Sequence, residues 1–455
     1  MKNLFKTVTV SLMMGLLALG STSCLKEEKE DPTEEVTAGT TILEGTYTEP
    51  VVLDAAKKYL LKGYVYIKAP ASIIIPAGTV IMGDKDTKGT LVIERGAKIF
   101  ATGTADKPVI FTSAQPVGSR NYGDWGGVVI LGNAKNNIST SAVIEGGITP
   151  THGGNDDADN SGMLRYVRIE FGGIALAPNN EINGLTLGSV GSGTEIDYVQ
   201  VSYCGDDAFE WFGGAVNAKH LVSHRTWDDD FDTDNGYSGK VQFGVALRDL
   251  AIADQSNSNG FESDNDANSS NKTPQTSAIF SNVSVFGHFK SIADTTGASA
   301  LIGRGAHIRR NSSQSIFNTV ITGYREGVRL DSTVTQGNMT DGKLVLKNIT
   351  LAGNVVALNT KGKADLNAFT AAFNDANAQN SALSEISSLD LNAQNFNLTK
   401  PEFIPNGSSP LLGSGNFSDP KLSGSFFVPT SFRGAFGTED WTAGWANFNP
   451  QQANY

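Results

Sequence analysis

Apolar residues recur along this chain in short alternating runs, each closed by a turn residue, rather than at the three-to-four spacing of a helix. Residues 91–113 show the pattern in its plainest form: runs of three to five residues bounded by Gly, Asp or Pro, with Pro76–Ile81 as a shorter copy. Asp124–Asn133, Leu164–Gly173 and Ile182–Gly188 continue it, followed by Ala278–Phe286, Ile316–Thr322, Gly327–Asp331 and Leu344–Leu351. Many short strands at roughly even spacing, each too small to bury a face alone, predict a stacked solenoid from about 41 to 358. After Asn359 the repeat stops. Leu366, Phe369 and Phe373 then fall at helical spacing and predict a short amphipathic helix within a C-terminal cap over 359–455. A solenoid needs such a cover because its last coil is otherwise an open edge.

One stretch, Val201 to Asp266, organises the rest. An aromatic followed at once by an acid, with more acids before it, appears three times: Asp206-Asp207-Ala208-Phe209-Glu210, Asp228-Asp229-Asp230-Phe231-Asp232-Thr233-Asp234 and Phe261-Glu262-Ser263-Asp264. Each copy follows a β-like run: Tyr198–Ser202, His220–His224 and Leu247–Ile252. The phenylalanines are 22 and 30 residues apart, about one solenoid coil with variable loops. If the copies are successive coils, Phe209, Phe231 and Phe261 stack inside and Glu210, Asp232 and Glu262 form a ladder of carboxylates. Coils ~4.8 Å apart would set neighbouring carboxylates repelling by roughly 3 kcal/mol at an effective dielectric near 20.

Composition sharpens this picture. Residues 201–266 hold 13 acids against 4 Lys or Arg, and 25–36 hold 6 acids and 2 Lys, so these two stretches together closely match the formal charge of −12 and leave the rest of the chain close to neutral. With no basic stripe, nucleic acid is excluded as a partner. Only 39% of the 455 residues are hydrophobic and 50 are Gly, which suits a turn-rich β structure. Of two cysteines, Cys204 reads as a small buried residue.

Residues 60–135 resemble the right-handed parallel β-helix superfamily to which pectate lyases belong, and the expected fold is all-β, a right-handed parallel β-helix with a C-terminal capping region. The N-terminus, with Lys2 and Lys6 before an apolar run from Val8 to Leu19 and small residues 20–23, reads as a secretory signal over 1–23. It ends in a segment resembling a bacterial lipobox, which implies lipidation of Cys24, and Lys26-Glu27-Glu28 resembles the export signal that takes Bacteroidetes-type lipoproteins to the outer face of the outer membrane. Residues 24–40 are then a lipidated tether, and the expected location is the cell surface, attached by the lipid. Ser408–Gly415 resembles the closing segment of many β-helix proteins, and Phe432–Phe448 the tail of a family of secreted Bacteroidetes proteins.

Three readings of the acids stay open. Asp230, Asp232 and Asp234, at alternate positions before Gly236, with Glu262 and Asp264 from the next coil, offer the oxygen-rich set a hard cation needs, so calcium is the expected ion. An EF-hand is excluded, since Asn235 stands where its Gly belongs. Gly205-Asp206-Asp207 resembles the Gly-Asp-Asp segment of polygalacturonases, which implies Asp206 and Asp207, with Glu210 beside them, as acid and base of a glycoside hydrolase; a calcium-dependent polysaccharide lyase on the same face would instead neutralise the uronate carboxylate with calcium and remove the proton with a basic residue. In the third reading the acids are merely solvated in loops, or paired with Arg304, Arg309, Arg310, Arg325 and Arg329 on later coils. His220 and His224 should share one strand face, as a structural pair or as metal ligands. Trp441 and Trp445 suit packing better than sugar binding. The expectation is a surface lipoprotein binding a polysaccharide or other extracellular ligand through its acidic face, with an enzyme on the same face or an accessory subunit of an uptake complex as alternatives.

Overall fold

The computed structural model describes residues 39–177, 180–289 and 293–455. The expected signal over 1–23, Cys24 and most of the tether lie outside them. Among the described residues no helix is long and apolar enough to cross a membrane.

The alternating runs form parallel strands, each hydrogen-bonded to the equivalent strand one coil before and one coil after. One strip, which carries the site, runs through Gly127–Leu131, Leu185–Gly188, Phe209–Phe212, Phe231–Asp234, Phe261–Ser263, Arg304–Ile308, Glu326–Asp331 and Val356–Lys361, every pair parallel. A second set of longer strands, Gly162–Glu170, Glu195–Ser202, Asn217–His224, Lys240–Leu247 and Ile279–Phe286, stacks in the same way and continues into split pairs at 315–322 and 346–352. This is a parallel β-helix, with Leu61, Val65, Ile93, Phe111, Leu187 and Val283 among the wholly buried residues of its axial core.

Each long strand bends at one residue of positive φ: Tyr166, Tyr198, His220, Phe243, Asn282, Asn318 and Asn348, with φ from 47 to 63°. That backbone is costly for a residue with a side chain. Stacking compensates: Tyr166 lies 4.4 Å from Tyr198, Tyr198 4.2 Å from His220 and His220 5.0 Å from Phe243, and Asn348 donates to the Asn318 side chain at 2.9 Å. The bend breaks simple alternation, so His220 and His224 part company. His220 sits in the stack with Nδ1 2.7 Å from Asp197, while His224 is buried with Nε2 2.9 Å from the Leu398 carbonyl.

The third acidic copy does not follow a strand over Leu247–Ile252. The strand is Lys240–Leu247, and Arg248 turns into the interior to pair with Asp230. The predicted helix is Leu366–Phe373, capped by the Asp365 carboxylate, with Phe369 and Phe373 buried in the axial core. A second helix, Thr333–Thr340, has no apolar face and was not foreseen from its sequence. The remainder of the C-terminal segment runs back along the flank over the bend residues. Asn348 donates to the Ser414 carbonyl, Asn318 to Asn416, Asn282 to Phe432 and Gln200 to Asn447, in reverse chain order. Trp441 packs on His220 at 5.2 Å, and Trp445 lies edge-on to Tyr166 and Tyr198 with its Nε1 donating to the Trp441 carbonyl. These tryptophans are packing residues.

Candidate functional site

The site follows from two local facts. In the acidic copies the aromatic faces inward, so its neighbour faces out, and parallel pairing places like residues above one another. Phe209, Phe231 and Phe261 are wholly buried, with ring centroids 5.9 and 5.5 Å apart. Beside them the register pairs Glu210 with Asp232 and Asp232 with Glu262. The same stacking makes a second column two residues before the inward column, Asn183, Asp207, Asp229 and Asn259. It is stitched by Asp229 N–H donating to Asp207 Oδ1 at 2.7 Å and by Asn259 N–H donating to Asp229 Oδ1.

Amides close the cluster at both ends. Asn183 Nδ2 donates to Glu210 Oε2, and Asn259 Nδ2 donates to Glu262 Oε2 at 2.9 Å. Between them, carboxylate oxygens of Asp206, Asp207 and Asp228, of Asp207, Glu210 and Asp232, and of Asp229, Asp232 and Glu262 form three groups whose members lie within 4.8 Å of one another. Asp207 belongs to two groups and so does Asp232, so the groups make one continuous row.

These are not solvated loop acids, since Asp207, Glu210 and Asp229 are only 8, 6 and 4% exposed. Burial, reinforced by the neighbouring carboxylates, pushes Asp206, Asp207, Glu210, Asp229 and Asp232 well above the usual carboxylate range, and Asp228 to about 7. Asp234 is raised to about 7 by burial and by Asp264. Asp228 Oδ1 and Asp232 Oδ1 are buried oxygens with no hydrogen-bond partner. Glu145, on a loop, and Glu181, in the short strand Asn180–Ile182, add to the repulsion felt by Asp206. Glu145 itself is raised to about 7 by burial and by Glu181. Sequence reasoning missed both glutamates, because neither belongs to the repeating motif.

The residues singled out from sequence divide differently in space. Asp206, Asp207 and Glu210, expected as acid and base, share the row with Asp232 and Glu262, expected as metal ligands. Asp228 and Asp229 belong to it too. Asp230 does not: it turns inward, bonded to Ser223 at 2.6 Å and to Arg248 at 3.0 Å. Asp234 holds Asn235 through its backbone and side-chain amides. Asp264 is taken by Arg309 Nε at 2.8 Å and Arg310 Nη1 at 2.7 Å. Burial works to raise Glu262, but His307 and Arg309 beside it outweigh that and hold it below its ordinary value. The column then continues into His307 and Arg329, which share Asp331. Arg304 pairs with Glu326, whereas Arg325 bonds the Ser299 and Ala300 carbonyls. Cys204 is buried, its thiol 2.8 Å from the Asp207 carbonyl and pushed up to about 12 by burial.

The family model described as a pectate-lyase-like beta helix domain matches residues 45–396. The chain belongs to that family. The match covers the stacked strands, the acidic row and the helix Leu366–Phe373, so the row is part of the family domain and not an appendage. Comparisons with curated proteins and with solved structures returned no match.

Proposed function

We propose that this β-helix is a surface-tethered lipoprotein whose acidic row holds divalent cations, calcium above all, and through them binds an extracellular glycan. The observation that carries this reading is the row itself: buried carboxylates in overlapping groups with two orphaned oxygens. Calcium takes oxygen ligands at about 2.3–2.6 Å, so opposed ligands stand roughly 4.6–5.2 Å apart. Oxygens within 4.8 Å of one another lie close enough to share such an ion. Asp207, Glu210, Asp229, Asp232 and Glu262 would hold the cations. Bound, such ions neutralise the row and offer open positions to the hydroxyl or carboxylate oxygens of a sugar. The chain's own part is to fix the acids by stacking and to exclude other partners by burial.

The test is thermal unfolding in chelator and in millimolar calcium at matched ionic strength. A cation at 100 times its dissociation constant adds about 2.7 kcal/mol, a rise of a few degrees. Asp232→Asn should abolish most of that rise while lifting the metal-free midpoint. Equal midpoints for the native chain in both conditions would sink the reading.

A polysaccharide lyase or hydrolase is favoured by one specific feature: within the group Asp229, Asp232 and Glu262, two carboxyls are raised and one is held ionised, the divergence that assigns acid and base roles. Release of reducing ends or of unsaturated products from a polysaccharide panel, with and without calcium, separates enzyme from binder. The tether reading predicts that Cys24→Ala yields a soluble protein, and that external protease removes the native protein from whole cells. Survival of the native protein on intact cells would place it behind the membrane.

A further inference from the structure

The last coils meet the returning C-terminal segment around a cavity of about 380 Å³. Its chemistry is the reverse of the acidic row. Arg433 reaches it from the returning segment, half-buried, and its guanidinium bonds only neutral acceptors: the Ser414 carbonyl at 3.2 Å, Thr350 Oγ1 at 3.2 Å and Asn348 Oδ1 at 3.4 Å. No Asp or Glu lines the cavity, and burial lowers the Arg433 pKa. Arg309 and Arg225, also half-buried, take the carboxylates of Asp264 and Asp249, whereas Arg433, like Arg325, takes none. A charge partly removed from water with no counter-charge is costly, and an oxyanion is the partner its planar fork matches.

The remaining wall suits such a ligand. Hydroxyls of Thr350, Ser381 and Ser388 border the cavity, and Gln379, whose Oε1 is engaged by Asn416, keeps its amide N–H groups as donors. Leu383, Pro410 and Leu411 supply an apolar side. Donors on one wall and carbon on the other fit a charged group attached to a small ring.

We propose that this cavity is a binding site for a small oxyanion, a carboxylate or sulfate group carried on a body no larger than one sugar ring, with Arg433 as its counter-ion. It lies on the sheet containing Thr350–Ala352 and Ser381–Leu383, away from the strip that carries the acids, and it stands or falls independently of the cation reading.

The full chain is titrated by calorimetry and ligand-observed NMR with sodium sulfate, glucuronate and glucose, against chloride at matched ionic strength. Saturable binding of glucuronate or sulfate in the millimolar range or tighter is expected, weakened at least tenfold in Arg433→Gln. Glucose should not bind. Tighter binding of glucuronate points to a sugar acid, and tighter binding of sulfate to a sulfated group or the free anion. Ser388→Asp alters an exposed position and places a carboxylate in the cavity, so it should abolish binding without unfolding the chain, which keeps the test decisive if Arg433→Gln is unstable. Absence of saturation with either anion, equal binding of glucose, or binding unchanged in Ser388→Asp would overturn the proposal.

Discussion

The coils at Phe209 and Phe231 and those from Phe261 to Asp331 share one architecture and meet opposite electrostatic fates. In both, an inward column and parallel register stack the outward residues. In the first pair every charge in the row is negative, burial raises the carboxyls and two oxygens are orphaned. In the second, Glu262, Asp264, Glu326 and Asp331 alternate with Arg309, Arg310, His307, Arg329 and Arg304. Stacking is thus set by an apolar inward column and the parallel backbone register, which both regions have although the column passes from phenylalanine at Phe261 to Ala306 and Val328. The charges outside are then satisfied by whatever the next coil supplies. Where it supplies arginine the region is complete, and where it supplies another carboxylate the region is left needing a cation or protons.

The largest effect should come from breaking the paired region. Arg309→Gln leaves Glu262 only His307, and Asp264 only Arg310, as cationic partners, and should cost about 2 kcal/mol in chelator, less than the ~3 kcal/mol of a fully broken buried pair. Chemical denaturation reads this directly, and calcium should recover part of the loss by extending the row into the vacated acids. A change below 1 kcal/mol would mean the two regions are not electrostatically different.

The pH dependence should separate the regions next. A carboxyl whose native pKa lies above its unfolded value favours the native state when protonated, so that contribution is present at low pH and lost as pH rises. For Asp228 and Asp234 the window runs from near 4 to about 7. The chelated protein should therefore melt several degrees lower at pH 8 than at pH 5, and calcium should flatten that decline. The paired region behaves oppositely. Burial works against ionised Asp331, but His307 and Arg329 hold it at about 2, so its contribution is present above pH 4 and lost as pH falls toward 2. Melting curves from pH 3 to 8 in chelator should show a maximum near pH 4, where the one contribution is complete and the other has not begun to be lost. A midpoint that keeps rising to pH 8 would contradict the raised values in the row.

The smallest and sharpest test uses one column. Glu210→Gln removes a repelling charge and should raise the chelated midpoint by a degree or two. Glu262→Gln, two coils along the same column, loses His307 and Arg309 and should lower it by a similar amount. The same sign for both would dissolve the comparison.

Much of the site was legible because its signal is local and repeated. The aromatic–acid motif recurs at coil spacing, and alternation sends the phenylalanines in and Glu210, Asp232 and Glu262 out. Asp230 looked equivalent to Asp232 by alternation, but it precedes the strand, and the turn there directs it inward to Arg248, 18 residues later. Glu145 and Glu181 carried no periodic signal. His220 broke the even-spacing rule because the strand bends at that residue.

The sequence by itself determined the solenoid, the Phe column, the carboxylate ladder beside it and the helix at Leu366–Phe373, since each is a period-2, coil-period or helical-period pattern enforced by the burial of apolar side chains. Only the tertiary structure decided which acids find arginine, because Glu262 and Arg309 are 47 residues apart and meet through register across a loop whose length carries no charge information. It likewise decided that the C-terminal segment runs back along the flank, for its irregular backbone is held by the side-chain amides of Gln200, Asn282, Asn318 and Asn348 on four different coils.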